Sequence, residues 1–310
     1  MPGHEVFAPP QNQLHIDKTG RITKTSSMLE KVRHHRAVQI SDARPDNPAE
    51  DIVDQEETSS GLPFLKPSRL FLFMEGRALI EAGSFLASWP LLAQNKRGDG
   101  RPVLLLPGFM AGDGSMILIK QFLRQMGYAA SGWRQGRNMG PTPDLLNPLV
   151  EQLRRLYEKE DRKVALIGQS LGGVYARELA RLHPEMVSKV ITLGSPFRMP
   201  STAGVSELVR EDVEIDAEFE ALRKHMASPP PVPVTALYSR SDGIVPWQTC
   251  IESPGESRES IEIFSSHIGM AVNPGAITVI LDRLALPHGV WRPYTPGGIM
   301  SLWFPLRNNS

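Results

Sequence analysis

The sequence predicts an α/β chain on a mostly parallel, doubly wound sheet with helices on both faces, and three observations predict it. From about residue 100 onward, short apolar runs alternate with amphipathic stretches. Runs such as Val103–Leu106 and Val164–Ile167 are continuously apolar, as strands are when both faces are buried. Strands separated by helices need crossover connections, and crossovers make neighbouring strands parallel.

Composition sets broad bounds. With 310 residues, 41% hydrophobic and 22% charged, the chain is long enough to bury a sizeable core. Its net charge of zero gives no bulk electrostatic reason to bind nucleic acid. A single Cys250 excludes an intramolecular disulfide and offers no zinc cluster, so it reads as a structural thiol. The start, Met-Pro-Gly-His-Glu, lacks the basic and apolar regions of a secretory signal, and a cytoplasmic location is the expectation.

Residues 1–61 are rich in Pro, Asn, Asp, Glu and Ser and read as a mobile leader. They hold a solvated basic patch at His34-His35-Arg36 and an acidic group from Glu50 to Glu57. Residues 62–310 read as one domain, opened by a helical segment over 62–95. Within it, Leu65 to Leu92 is densely apolar, but Glu75, Arg77 and Glu81 interrupt it before the ~18 residues a membrane span needs. An amphipathic helix packed on the domain is expected, with a partner-binding helix or membrane-surface contact through 65–92 as the other reading.

After the turn-rich Asn95–Gly100, strands are expected at Val103–Leu106, Tyr128–Gly132, Lys163–Ile167, Val187–Leu193, Val234–Tyr238 and Ile261–Phe264. Helices are expected at Ser115–Met126, Leu171–His183 and Pro143–Tyr157, the last with Thr142 as N-cap and Pro143 in its first position. Asn273-Pro274 repeats that signature before a helix running towards Leu284. The alternation breaks once, where about forty residues separate Gly194-Ser195-Pro196 from Val234, which is long for a connection. A small helical lid over 197–232 is expected there, holding an acidic helix from Val205 to Met226.

The chemistry centres on Gly168-Gln169-Ser170-Leu171-Gly172-Gly173, where an apolar strand ends in a serine fenced by glycines and a helix departs at once. So tight a turn strains the serine backbone and lifts its hydroxyl above the sheet, near the positive end of the helix. Ser170 is therefore the candidate nucleophile. A serine hydroxyl needs a base to take its proton and an acid to orient that base. Asp242, in the loop after the strand ending at Tyr238, is the candidate acid, and His267, after the strand ending at Phe264, the candidate base. His183 and His288 lack a preceding strand and are weaker candidates. Two backbone donors are expected for an oxyanion, the N–H of Leu171 and that of Phe109 in Leu106-Pro107-Gly108-Phe109-Met110. Met110, Gln169 and Met270 are expected to line the substrate pocket, and Asp113 to cap the helix near Ser115.

These residues resemble the α/β-hydrolase superfamily, specifically its lipase- and esterase-like members. The resemblance spans about Arg101 to Leu286 and is carried by Leu105–Phe109, Gly168–Gly173, Thr192–Pro196, Ser241–Gly243 and Ser266–Gly269. Gly132-Trp133, Gly136–Thr142 and the stretch from Ser266-His267 to Asn273-Pro274 look like a group of bacterial α/β hydrolases. The resemblance implies Ser170 as nucleophile, Asp242 as acid and His267 as base, with no metal or organic cofactor. It departs from the superfamily in lacking two leading antiparallel strands, whose place the 65–92 segment takes. The expected function is hydrolysis of a small-molecule ester or lipid through an acyl-enzyme. An acyltransferase using the same triad and a non-catalytic lipid- or ester-binding module are the alternatives, and the oligomeric state is left open.

Overall fold

The computed structural model describes residues 69–141, 145–198, 221 and 224–305. The expected leader, the Thr142-Pro143 cap and all but the last residues of the lid's acidic helix lie outside the described residues; residues 224–227 are helical. Among the described residues six strands form one sheet: β1 (Pro102–Leu106), β2 (Ala129–Gly132), β3 (Val164–Gln169), β4 (Val187–Leu193), β5 (Val234–Tyr238) and β6 (Arg258–Glu262). Their order is β2-β1-β3-β4-β5-β6, and all five pairings are parallel.

The helices of the described residues that accompany the sheet include α1 (Arg69–Phe73), α2 (Ala78–Leu92), α3 (Ile117–Gln125), α4 (Leu146–Glu160), α5 (Leu171–Leu182) and α6 (Pro274–Ala285). Because strand side chains alternate, each strand feeds two cores. Val103, Leu105, Ala165 and Ile167 pack with Phe85 of α2, Ile119 and Phe122 of α3 and Ile277 and Ile280 of α6. Leu104, Leu106, Val164 and Leu166 point the other way, onto Leu149 and Leu153 of α4 and Tyr175 and Leu179 of α5. This two-sided burial is why the central strands read as unbroken apolar runs.

The largest departures from the sequence reading concern two elements, β6 and α4, and one cap. β6 lies at Arg258–Glu262 instead of Ile261–Phe264, because its register with β5 begins at Val234 opposite Arg258. An edge strand needs few apolar residues, and apolarity marks only Ile261 near its end and Ile263 just beyond it, both buried. α4 starts at Leu146 and continues to Glu160, where Asp161 closes it in the left-handed region at φ 47°. Asp113 is no helix cap: Met116 precedes α3, and the Asp113 carboxylate accepts the N–H groups of Trp133 (3.0 Å) and Arg134 (3.3 Å) instead. It thus ties the first loop to the end of β2. α6 does begin as a capped helix, with the Asn273 side chain accepting from the Gly275 and Ala276 N–H groups.

α2 is turned inside out. Leu79, Ile80 and Leu86 are exposed, whereas Glu81 is buried together with Phe85. Phe85 and Trp89 meet Phe122 edge-on at ring separations of 5.3 and 4.8 Å, which fixes the helix on α3. Among the described residues no helix is long and apolar enough to cross a membrane.

On the opposite face, Arg177 of α5 is fully buried and paired with the equally buried Glu252. Its guanidinium also donates to the Ser228 carbonyl (3.0 Å) and lies 3.8 Å from the centre of the Phe197 ring. Burial pulls Arg177 down to about 10, with Glu252 opposing the shift. Replacing Glu252 by alanine strands a buried cation, and a loss of about 3–5 kcal/mol in urea unfolding is expected. A loss under 1 kcal/mol would show the pair to be dispensable.

Candidate active site

Ser170 sits between β3 and α5 at φ 50°, ψ −125°, a region that L residues rarely occupy. The close packing around it explains the glycines. A Cβ at Gly168 would strike the Gly172 backbone, one at Gly172 the Leu106 carbonyl, and one at Gly173 the Ser195 side chain. The strain is held by the ladder beyond the strand ends: the Ser170 N–H reaches the Leu193 carbonyl (2.8 Å) and the Gly194 N–H the Leu237 carbonyl (2.9 Å). Ser170 remains partly exposed at the carboxyl end of the sheet.

Asp242 and His267 meet in the loops after β5 and β6. His267 Nδ1 stands 2.6 Å from Asp242 Oδ2, with both side chains almost fully buried. The other carboxylate oxygen, Oδ1, accepts the N–H groups of Ile244 (2.9 Å) and Val245 (2.8 Å), which fixes the acid's orientation. Gly194, at the end of β4, lies beside this pair, since a Cβ there would come within 3.1 Å of His267 Nδ1 and 3.2 Å of Asp242 Oδ2. Its positive φ of 55° adds a second reason for glycine.

The loop after β1 faces Ser170: a Cβ on Gly108 would lie 3.1 Å from Ser170 Cβ and 3.8 Å from its Oγ. Phe109 follows, then Met110 at φ 63°, with 49% of its surface exposed. Asn138 holds this loop. Its side-chain amide donates to the Pro107 carbonyl (2.9 Å), and its backbone exchanges 2.7 Å bonds with Met110 and Ala111. The sequence reading gave Asn138 no role, although it stands in the Gly136–Gly140 stretch that carried part of the resemblance.

Two residues expected to line the pocket make inward contacts in the structure. Gln169 turns its amide onto the carbonyls of His267 (2.9 Å) and Ile268 (3.2 Å), so it braces the histidine loop. Met270 is wholly buried in the core with Phe85 and Ile277. Neither orientation follows from position in sequence, because the turn at Ser170 and the 3-10 turn Ile268–Val272 redirect the chain locally. The Cys250 thiol is pushed up by burial, which leaves it an unreactive core group.

Three charged residues with no role in the sequence reading also reach these loops. Glu75, in a 3-10 turn before α2, accepts the N–H groups of Gly243, His267 and Ile268, each at 2.9 Å. Arg77 donates to the carbonyls of Ser241 (3.0 Å) and Ser265 (3.2 Å). Glu81 accepts from Ser265 Oγ and the Ser266 N–H, both at 2.6 Å. Three charges interrupting one apolar stretch were the available signal.

A parallel sheet in this order, with a strained serine between its third strand in chain order and the following helix, decides the architecture, and a profile described as the PGAP1-like alpha/beta domain matches residues 122–230. The chain has an α/β-hydrolase fold.

Solved structures similar to this chain include one reported for the metagenome-derived lipolytic enzymes LipS and LipT. It is 18% identical, with 61% of this chain and 93% of that chain covered and a TM-score of 0.45. The Bacillus licheniformis lipase BlEst2 is 16% identical over 61% of this chain and 94% of its own, with a TM-score of 0.44. For Aspergillus fumigatus lipase B the identity is 17%, the coverage 64% of this chain and 54% of that chain, and the TM-score 0.47. With TM-scores below 0.5, the fold assignment rests on strand order, the turn at Ser170 and the profile match. No curated protein matches the chain by sequence.

Proposed function

We propose that this α/β hydrolase cleaves carboxylic esters through an acyl-enzyme on Ser170. The observation that carries the reading is the buried Asp242–His267 pair beside Gly194, at the same end of the sheet as the strained Ser170. In this mechanism His267 takes the Ser170 proton while Asp242 holds the imidazole in the tautomer that can accept it and stabilises the imidazolium formed. Ser170 Oγ attacks the ester carbonyl, and the Leu171 and Phe109 N–H groups receive the oxyanion. His267 then protonates the departing alkoxide. Water, deprotonated by His267, attacks the acyl-enzyme and releases the acid, restoring Ser170.

Exposed apolar side chains in the same loops, Met110, Ile244 and Ile268, suit a substrate with an apolar acyl group. A fluorophosphonate probe is expected to label Ser170 stoichiometrically, and p-nitrophenyl esters of increasing chain length to be turned over. Absence of labelling in folded protein would favour a binding module. Transfer of most of the acyl group to an added alcohol at modest concentration would favour an acyltransferase. The exposed face of α2, with Leu79, Ile80 and Leu86, supports lipid-borne esters as substrates, and equal rates on monomeric and micellar ester would count against that part.

A further inference from the structure

The two loops that bring Asp242 and His267 together are tied at two levels. Their stems are joined by the Ser239 and Ser241 hydroxyls, which donate to the Ser265 carbonyl at 2.7 and 3.1 Å, and by Arg77. The tips are joined by Glu75. One carboxylate oxygen accepts from Gly243, the residue after the acid, and from His267 itself, while the other accepts from Ile268, the residue after the base. An ionised carboxylate accepts at both oxygens and donates nowhere, so it matches three converging N–H groups. Those bonds offset the cost of burying a charge in a residue only 6% exposed.

We propose that Glu75 is a positioning residue, a carboxylate that locks the tips of the acid and base loops so that the Asp242–His267 pair stays aligned for Ser170. This rests on the ester-hydrolase reading for its effect on rate, but not for its effect on the pair. A carboxylate lent from before the sheet, 168 to 193 residues away from its partners, serves alignment, because Arg77 and the serines already hold the stems. Glutamine at position 75 keeps one acceptor oxygen for Gly243 and His267 but turns an NH2 onto the Ile268 N–H. Alanine leaves all three donors without this acceptor.

The test uses the full chain with Glu75→Gln and Glu75→Ala. The expected kcat falls about 10-fold for the glutamine and about 100-fold for the alanine variant, with KM within about twofold, as small misplacements of a reacting group do. Rates are taken per fluorophosphonate-reactive site, so unfolded protein does not count. A second readout is independent of turnover. The His267 Nδ1 proton shared with Asp242 should give a far-downfield NMR resonance that is absent in His267→Ala and broadened or lost in both Glu75 variants. Should alanine prevent folding, the glutamine variant carries both measurements. An unchanged resonance with unchanged kcat per site would overturn the proposal, even if melting temperature falls, since that describes a purely structural carboxylate. If wild-type protein cleaves no ester yet the resonance responds to Glu75, the positioning role stands and the ester-hydrolase reading fails.

Discussion

Ser170→Ala is expected to abolish ester turnover, by about 10⁴-fold or more in kcat, while the protein keeps its fold and melting temperature. Alanine removes the only atom that forms the acyl bond but leaves the backbone in the same strained region, at φ 50° and ψ −125°. Ser170→Gly makes the complementary measurement. Glycine occupies that region freely, and relief of strain worth about 1–3 kcal/mol should make the glycine variant inactive yet more stable than wild type. Full activity in the alanine variant would remove Ser170 from the mechanism. A glycine variant no more stable than alanine would show that the elbow stores no strain.

The second large effect is expected from Asp242→Asn. The asparagine carbonyl can keep the Ile244 and Val245 N–H bonds that orient residue 242, so the loop should survive. Its NH2 then faces His267 Nδ1, across what was a 2.6 Å contact with a carboxylate. Nδ1 becomes an acceptor, the ring proton moves to Nε2, and the imidazole can no longer take a proton from serine. A kcat lower by about 10³–10⁴-fold is expected, with thermal stability little altered. Rates within tenfold of wild type would mean that Asp242 does not set the tautomer.

The proposed nucleophile, acid and base stand out in the sequence because each occupies a place that follows from a few local rules. Ser170 is marked by strand, glycine and helix in immediate succession, and Asp242 and His267 by standing just beyond strand ends in the required chain order. The central strands were legible for a related reason, since burial on both faces leaves an unbroken apolar signature. What supports the site was not. Gln169 and Met270 were placed by proximity in sequence, but side-chain direction at a strained turn and in a 3-10 turn is set by the three-dimensional path. Glu75, Arg77 and Glu81 were read as interruptions of an amphipathic helix. In fact the helix inverts the usual pattern: Glu81 is buried while Leu79, Ile80 and Leu86 face outward, so hydrophobic periodicity points the wrong way. The polar edge strand β6 was shifted for a similar reason, because a strand with one free edge need not be apolar along its length.

The span between Glu75 and its partners also bears on how the molecule comes into being. During vectorial synthesis Glu75 emerges before any strand of the sheet, whereas Gly243, His267 and Ile268 emerge after five of the six strands or all of them. The carboxylate must therefore stay hydrated until residue 268 has emerged, and its docking is among the closures of highest contact order in the fold. The parallel sheet can assemble beforehand from more local pairings. Docking of Glu75 is thus a late event of maturation, and a chain stalled before residue 268 holds the turn at Ser170 without the frame that aligns Asp242 with His267.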